Sequence, residues 1–232
     1  GNLRNAIPRE AYAIFGVPTR LRDEFRKRYE LFAADLHAEF RLCEPNFRIT
    51  LNEMPAVDHV IDEKTQFGLV YSLVGVPNGV VAMSMALPGL VETSTNLASV
   101  KFVDGAKIVV TSSQRSSVES AKTYVMQMVE SVFALAGADV AHSDGYPGWA
   151  PDPSSRLLEV SVASYRRLFG REPKVRAIHA GLECGLFLEK YPELEMVSFG
   201  PTLRGVHSPD ERLEIATVAK FWAHLNDILR TL

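Results

Sequence analysis

The spacing of hydrophobic positions predicts three helices in the first 140 residues. Apolar side chains recur every three or four positions over residues 20–42, with charged residues on the opposite side, which is typical of a long amphipathic helix. Asp62 is a candidate N-cap for a second helix that runs to about Val74. Ser117 is a candidate N-cap for a third helix that ends near Ala136.

Shorter stretches with strand-like alternation lie between these helices. The predicted strands cover residues 5–17, 46–51, 80–86, 91–102 and 107–113. Asp104-Gly105 separates the last two, and this dipeptide is typical of a tight hairpin turn. Mixed helices and strands with hairpin signals indicate an α+β layer, in which helices cover one sheet.

The pattern changes after an irregular connector rich in proline and glycine at residues 142–153. Helices are predicted there over residues 154–169, 183–190 and 210–229, and buried strands over residues 174–179 and 196–199. Strands that alternate with helices favour βαβ units and a mainly parallel sheet. Two strands are too few for such a sheet, so this region is interpreted as half of an α/β domain.

Composition excludes several classes of protein. With 47% hydrophobic residues and a net charge of −3, the 232-residue chain is neither disordered nor a basic binder of nucleic acid or anionic membranes. Its apolar stretches are too short to span a bilayer. Two cysteines, Cys43 and Cys184, cannot form a disulfide scaffold and are typical of reduced intracellular thiols.

Two loops contain residues that could bind a ligand. His207 follows a predicted strand and precedes a predicted helix, where an imidazole could bind a metal or could be a surface histidine beside a helix cap. Gly181 and Glu183 stand at the predicted start of another helix, whose exposed amides favour an anion. An ordinary strand-to-helix turn explains that second pattern equally well.

Two residues of the first region are further candidates. Arg115 ends a predicted strand among small polar residues, where a planar guanidinium suits bidentate binding of a carboxylate or is simply solvated. Asn5 could donate its amide to a ligand or could satisfy neighbouring backbone groups.

Taken together, five segments resemble one family of peptidases. They are residues 2–11 (NLRNAIPREA), 89–96 (GLVETSTN), 145–149 (GYPGW), 178–187 (IHAGLECGLF) and 200–211 (GPTLRGVHSPDE). The chain resembles the aminoacyl-histidine dipeptidases (Xaa-His dipeptidase, peptidase D) of the M20 metallopeptidase family. The resemblance covers essentially the whole chain in order.

This resemblance implies a domain organisation. Family members combine a catalytic domain that holds two zinc ions with an inserted lid that also mediates dimerisation. Residues 1–140 would then be most of the α+β lid, and residues 141–232 the C-terminal part of an α/β phosphorylase/hydrolase-like zinc-peptidase domain.

The resemblance also implies roles for single residues. His207 matches the last zinc ligand of the family, Arg115 the lid arginine that holds the substrate carboxylate, and Asn5 the lid asparagine near the reacting carbonyl. Gly181 lies on the loop against the C-terminal end of the substrate. Glu183 belongs to that loop without an assigned role.

The remaining zinc ligands and the general base of the family lie upstream of the lid, so no catalytic residue is expected here. The prediction is a C-terminal fragment of a cytoplasmic, homodimeric, zinc-dependent enzyme that hydrolyses Xaa-His (carnosine-like) dipeptides. Alone, the fragment would be inactive, with at most one weak metal site, and other divalent metals could replace the two zinc ions. Two alternatives stay open: another M20 aminopeptidase or N-acyl amino acid deacylase, and a non-catalytic dimerisation or peptide-binding module.

Overall fold

The computed structural model describes residues 1, 3–85, 87–143, 145, 147–149, 152–176, 183–206 and 210–232. Its helices are α1 (Arg22–Phe40), α2 (Glu63–Gly75), α3 (Glu119–Leu135), α4 (Arg156–Phe169), α5 (Glu183–Lys190) and α6 (Val218–Thr231). Its strands are β1 (Gly79–Met83), β2 (Val91–Val103), β3 (Lys107–Ser116), β4 (Leu203–Arg204) and β5 (Arg212–Leu213).

Strands β1, β2 and β3 form an antiparallel sheet in chain order. The β2–β3 hairpin turns at Asp104 and Gly105, whose φ angles are 52° and 66°. Two successive positive φ angles are typical of the type I′ turn, which matches the right-handed twist of the two strands. The hairpin predicted at this dipeptide is therefore confirmed.

Helix α3 packs on one face of this sheet, and α2 packs beside α3. The buried core contains Val76, Val129 and Phe133, against which Leu97 and Val110 of the sheet pack. Burial of these apolar side chains away from water stabilises the packing of the helices on the sheet. The predicted α+β layer is confirmed in this arrangement. We call residues 63–136 the sheet layer.

The second region is built on a helix pair. Helices α4 and α6 pack against each other, with His224 and Ile228 of α6 buried at 8% and 3% exposure. His224 Nε2 lies 2.9 Å from the carbonyl oxygen of Ser161 on α4. Strands β4 and β5 pair in antiparallel fashion nearby in the chain. We call α4 and α6 the helix pair.

Several predicted strands are wrong. Residues 5–17, 46–51 and 196–199 contain no strand, and the described sheets have no parallel strands. Of the strand predicted over 174–179, residues 174–176 are not in a strand, and residues 177–179 lie outside the described residues. Alternating side chains favour a strand, but a strand also needs a neighbour to pair its N–H and C=O groups. In the described chain, none of these segments has such a neighbour.

Two predicted helix starts are also wrong. Ser117 does not cap α3: Val118 holds the N-cap position, and its N–H donates to Ser116 Oγ at 3.0 Å. The last helix begins at Val218 and not at 210, because residues 212–213 pair with β4 first. Asp62, in contrast, caps α2 as predicted, accepting from the Thr65 N–H at 3.0 Å.

Candidate functional site

Arg115 lies on β3, directly opposite Ser94 of β2. Successive side chains of a strand point to opposite faces, and Val110 faces the core under α3, so Arg115 is on the face away from that helix. The side chain is half-buried. Within the described chain, no carboxylate forms an ion pair with its guanidinium.

On the opposite face, hydrogen bonds between side chains join β2 to β3 beneath α3. The hydroxyls of Thr93 and Ser116 lie 2.9 Å apart, and Gln114 Nε2 donates to Thr95 Oγ1 at 3.1 Å and to Ser112 Oγ at 2.9 Å. Thr93 and Ser116 are only 1% and 4% exposed. These bonds satisfy buried polar groups and fix the backbone on both sides of Arg115.

Asn5 lies in a turn in which the Ala6 N–H donates to the Leu3 carbonyl at 3.2 Å. Its side chain is exposed. Asn96 of β2 donates its Nδ2 to the carbonyls of Arg4 at 3.2 Å and Ala6 at 3.0 Å. Sequence analysis named Asn5 but missed Asn96, although Asn96 closes one of the quoted family-like segments.

Asn96 pairs with Ser113, two positions before Arg115, so the side chains of Asn96, Ser94 and Arg115 share one face of the sheet. The structure therefore brings the turn that carries Asn5 to the sheet face that carries Arg115. This face is the candidate substrate site.

The other predicted site residues are Gly181, Glu183 and His207. Gly181 and His207 lie outside the described residues. Glu183 is the first residue of α5, and the structure does not describe its side chain. The hairpin of β4 and β5 flanks residues 207–209 in the chain, since Leu203 pairs with Leu213. Elsewhere in the described chain, no group of three or more His, Cys, Asp or Glu side chains could hold a metal ion.

A cleft of about 430 Å³ lies where α3 begins, between α3, residues 145, 147 and 148, and α5. Glu119 Oε2 accepts from the Gly148 N–H at 3.0 Å, and its Oε1 lies 2.7 Å from Lys122 Nζ. Partial burial alone would raise the pKa of Glu119. The Lys122 hydrogen bond, the Gly148 N–H and the Lys122 charge outweigh burial, so the pKa lies below its usual value.

Two glycines allow the chain segments around this cleft to approach closely. A Cβ on Gly148 would lie 2.8 Å from the Ser117 carbonyl oxygen, and one on Gly185 would lie 2.6 Å from that of Pro147. No alanine fits either position without a backbone shift. Sequence analysis named residues 142–153 a connector and residues 145–149 a family-like segment, but it did not predict this close approach.

No protein-family model matches the chain. The cytosol non-specific dipeptidase of Escherichia coli (strain K12) is 38% identical over 230 residues, which are 99% of this chain. A crystal structure of aminoacylhistidine dipeptidase from Vibrio alginolyticus matches with a TM-score of 0.82 and 37% identity over 93% of this chain. The chain is similar to these two dipeptidases. The resemblance to dipeptidases drawn from the five segments is thereby confirmed.

The chain spans 47% of the length of the E. coli relative and 44% of the Vibrio chain. The match thus covers nearly all of this chain and about half of each dipeptidase. None of the described helices has the length and apolar character needed to cross a membrane.

Proposed function

We propose that the chain is part of a dipeptidase and that its sheet layer binds the carboxylate end of the substrate. The observation that carries the proposal is Arg115, a half-buried arginine with no carboxylate partner in the described chain. A planar guanidinium binds a carboxylate through two parallel hydrogen bonds, and every dipeptide ends in a carboxylate. The similarity to two dipeptidases over nearly the whole chain supports the same reaction class.

In this proposal Asn5 acts beside Arg115. Its exposed amide, in a turn held to the same sheet face, would donate to the carbonyl oxygen of the scissile peptide bond. A donor to this oxygen stabilises the negative charge that develops there during attack by water. Arg115 would therefore contribute mainly to binding, and Asn5 mainly to turnover.

The finer proposal is a cytosolic, zinc-dependent enzyme of the M20 type that acts on Xaa-His dipeptides. His207 would be one zinc ligand, with Gly181 on the loop at the carboxylate end of the substrate. Zinc would polarise the carbonyl and activate water. By the motif resemblance, the other ligands and the general base would come from protein outside this chain. The motif resemblance is the support for these assignments.

The same resemblance supports a homodimer formed through residues 1–140. Exposed apolar side chains on α2 fit this proposal, since Phe67 and Tyr71 are each 62% exposed and Val74 is 82% exposed. Sedimentation equilibrium of the chain would give the dimer mass. A monomer at high micromolar concentration would contradict this part of the proposal.

The decisive test compares this chain alone with the longer polypeptide to which we propose it belongs, here called the whole enzyme. The whole enzyme should hydrolyse Xaa-His dipeptides, lose activity with a chelator and regain it with zinc. The isolated chain should be inactive. In the whole enzyme, His207→Ala should lower the bound zinc measured by elemental analysis, whereas His37→Ala, a matched change on α1, should not.

Two results would redirect the proposal. Cleavage of longer peptides or N-acyl amino acids in preference to dipeptides would favour another M20 activity. Dipeptide binding without hydrolysis, in a whole enzyme that lacks bound metal, would favour a peptide-binding module.

A further inference from the structure

Three hydrogen bonds define the turn that carries Asn5. One closes the turn itself, from the Ala6 N–H to the Leu3 carbonyl at 3.2 Å. The other two come from Asn96 Nδ2 and reach the carbonyls of Arg4 and Ala6, at 3.2 and 3.0 Å. These two carbonyls stand immediately before and after Asn5. Asn96 therefore holds the backbone on both sides of Asn5 without occupying its side chain.

The backbone around Asn96 is itself fixed. The strand pairing places Asn96 opposite Ser113 of β3. The N-terminal segment also lies directly against β2 at a second point, because a Cβ on Gly1 would come within 1.9 Å of the Ala98 carbonyl oxygen. The turn is thus supported by an ordered strand.

The position of Asn96 relates the turn to Arg115. Arg115 is the diagonal cross-strand neighbour of Asn96. The Cα atoms of such a pair lie about 7–8 Å apart. In a dipeptide the terminal carboxylate and the scissile carbonyl are one residue apart, about 3.3–3.6 Å, so the side chains of Arg115 and Asn5 have to converge from backbones that lie farther apart. The two residues are close enough for one substrate to contact both.

We propose that Asn96 is a positioning residue of the substrate site, which sets the location of Asn5 relative to Arg115. The inference rests on the proposed function, because it requires Asn5 and Arg115 to contact the same dipeptide. A carboxamide suits this role, since its NH₂ group supplies two donors for two carbonyls. Aspartate has the same shape, but its ionised form only accepts, so it would repel both carbonyls.

The test is steady-state kinetics of the whole enzyme with Asn96→Asp and Asn96→Ala. Both variants should lower kcat about tenfold and change KM less than twofold, because Asn5 is displaced while Arg115 keeps its place. Asn5→Ala should show the same pattern. The double variant Asn5→Ala/Asn96→Ala should be no worse than Asn5→Ala alone, since residues that act through one group are not additive.

The matched control is Asn78→Ala, which removes the 2.8 Å hydrogen bond from the Leu97 N–H to Asn78 Oδ1 but leaves both Asn96 hydrogen bonds to the turn in place. It should lower Tm while kcat stays within twofold of the wild type. If the Asn96 variants acted only by loosening β2, the Asn78 and Asn96 variants would lose the same share of kcat. They would also raise KM, because Arg115 would be displaced as well. That pattern would overturn the positioning role.

A structural readout in the chain itself is independent of catalysis. Trypsin should cleave after Arg4 several-fold faster in Asn96→Ala than in the wild type, with cleavage after Lys107 as the internal reference. Unchanged cleavage after Arg4, or additive losses of kcat in the double variant, would overturn the inference. A wild-type whole enzyme without dipeptidase activity would overturn the proposed function, and the positioning role with it. An active wild type matched by its Asn96 variants would overturn the positioning role alone.

Discussion

The sheet layer and the helix pair are stabilised in different ways. In the sheet layer a sheet, a covering helix and a second helix enclose Val76, Val129 and Phe133, all less than 9% exposed. In the helix pair, His224 and three serines of α4 and its N-cap make up most of the buried side chains, and Ile228 is the large apolar one. Among the described elements, neither helix of the pair packs against an element of the sheet layer.

The comparison shows that the sheet layer has an apolar core of its own, whereas the helix pair buries mainly polar side chains. The chain exposes 17,999 Å² of surface, compared with roughly 10,400 Å² for a compact monomer of its mass. Both regions leave large apolar side chains more than 60% exposed, Trp222 and Leu229 in the helix pair and Phe67 and Tyr71 in the sheet layer. Apolar surface of this extent is typical of regions that pack against further protein. Because the sheet layer also has an apolar core of its own, we expect it to be the more self-sufficient of the two.

The strongest way to break this contrast is Phe133→Ala in the sheet layer. Loss of a buried ring from the core should lower the free energy of unfolding by about 3–5 kcal/mol. Urea denaturation of the chain measures the loss, and hydrogen exchange should show it in β2, β3 and α3 while α4 and α6 keep their protection. Trp222→Ala on the exposed face of α6 is the control, with a change of about 0.5 kcal/mol or less. Equal loss of protection in both regions would contradict their independence.

The reciprocal change is His224→Ala in the helix pair. The ring packs against Tyr165, Phe169 and Phe199, and Nε2 lies within hydrogen-bond distance of the Ser161 carbonyl. Removing the contacts and the hydrogen bond should cost about 2 kcal/mol. Hydrogen exchange should rise in α4 and α6 alone. His142→Ala, at a more exposed histidine, should leave both regions unchanged, and faster exchange in β2 of the His224 variant would argue against the separation.

A smaller effect is expected where the sheet layer meets the following segment, at Glu119 and Gly148. The carboxylate is 58% exposed, so water screens its interactions, and Glu119→Gln should cost about 0.5 kcal/mol or less. Because the folded pKa of Glu119 is lowered, its contribution is present above the unfolded carboxyl pKa and is lost as pH falls through the folded value.

Thermal unfolding of the Glu119→Gln variant between pH 7 and pH 3 checks this sign. The difference in Tm from the wild type should shrink as the solution becomes more acidic. Glu130→Gln, on the same helix, provides the comparison for a carboxylate that does not bond to residue 148. A Tm difference that grows toward low pH would contradict the assignment.

The contrast between the regions also explains what sequence could predict. Helices α1, α2, α4 and α5 and the hairpin of β2 and β3 were predictable because their signals are local: helical spacing, caps such as Asp62, and the turn at Asp104-Gly105. Strands at 174–179 and 196–199 were predicted from the same local signals, but a strand depends on partners that local sequence does not reveal. The error lies in the region with the smaller core.

In the candidate site, too, local signals were predictable and long-range contacts were not. Arg115 and Asn5 were candidates from the sequence, and the register of β2 with β3 and the hydrogen bonds of Asn96 bring the turn of Asn5 to the sheet face of Arg115. The register follows from the hairpin and from the irregularity between Leu97 and Ser99. The contact of Asn96 with residues 4 and 6, which lie 92 and 90 positions earlier, is a long-range feature that no spacing rule reveals. His207 and Gly181 stay predictions from the motifs.

The central claim is that Arg115 binds the carboxylate of a dipeptide, and it is tested most directly by changing the enzyme and the substrate together. The measurement is kcat/KM of the whole enzyme for an Xaa-His dipeptide and for its C-terminal amide, in the wild type and in Arg115→Ala. The wild type should prefer the free carboxylate about 100-fold, the effect expected of a bidentate charged pair. In Arg115→Ala the preference should fall to about threefold or less, through loss of activity on the dipeptide. A preference that persists undiminished in Arg115→Ala would contradict the account.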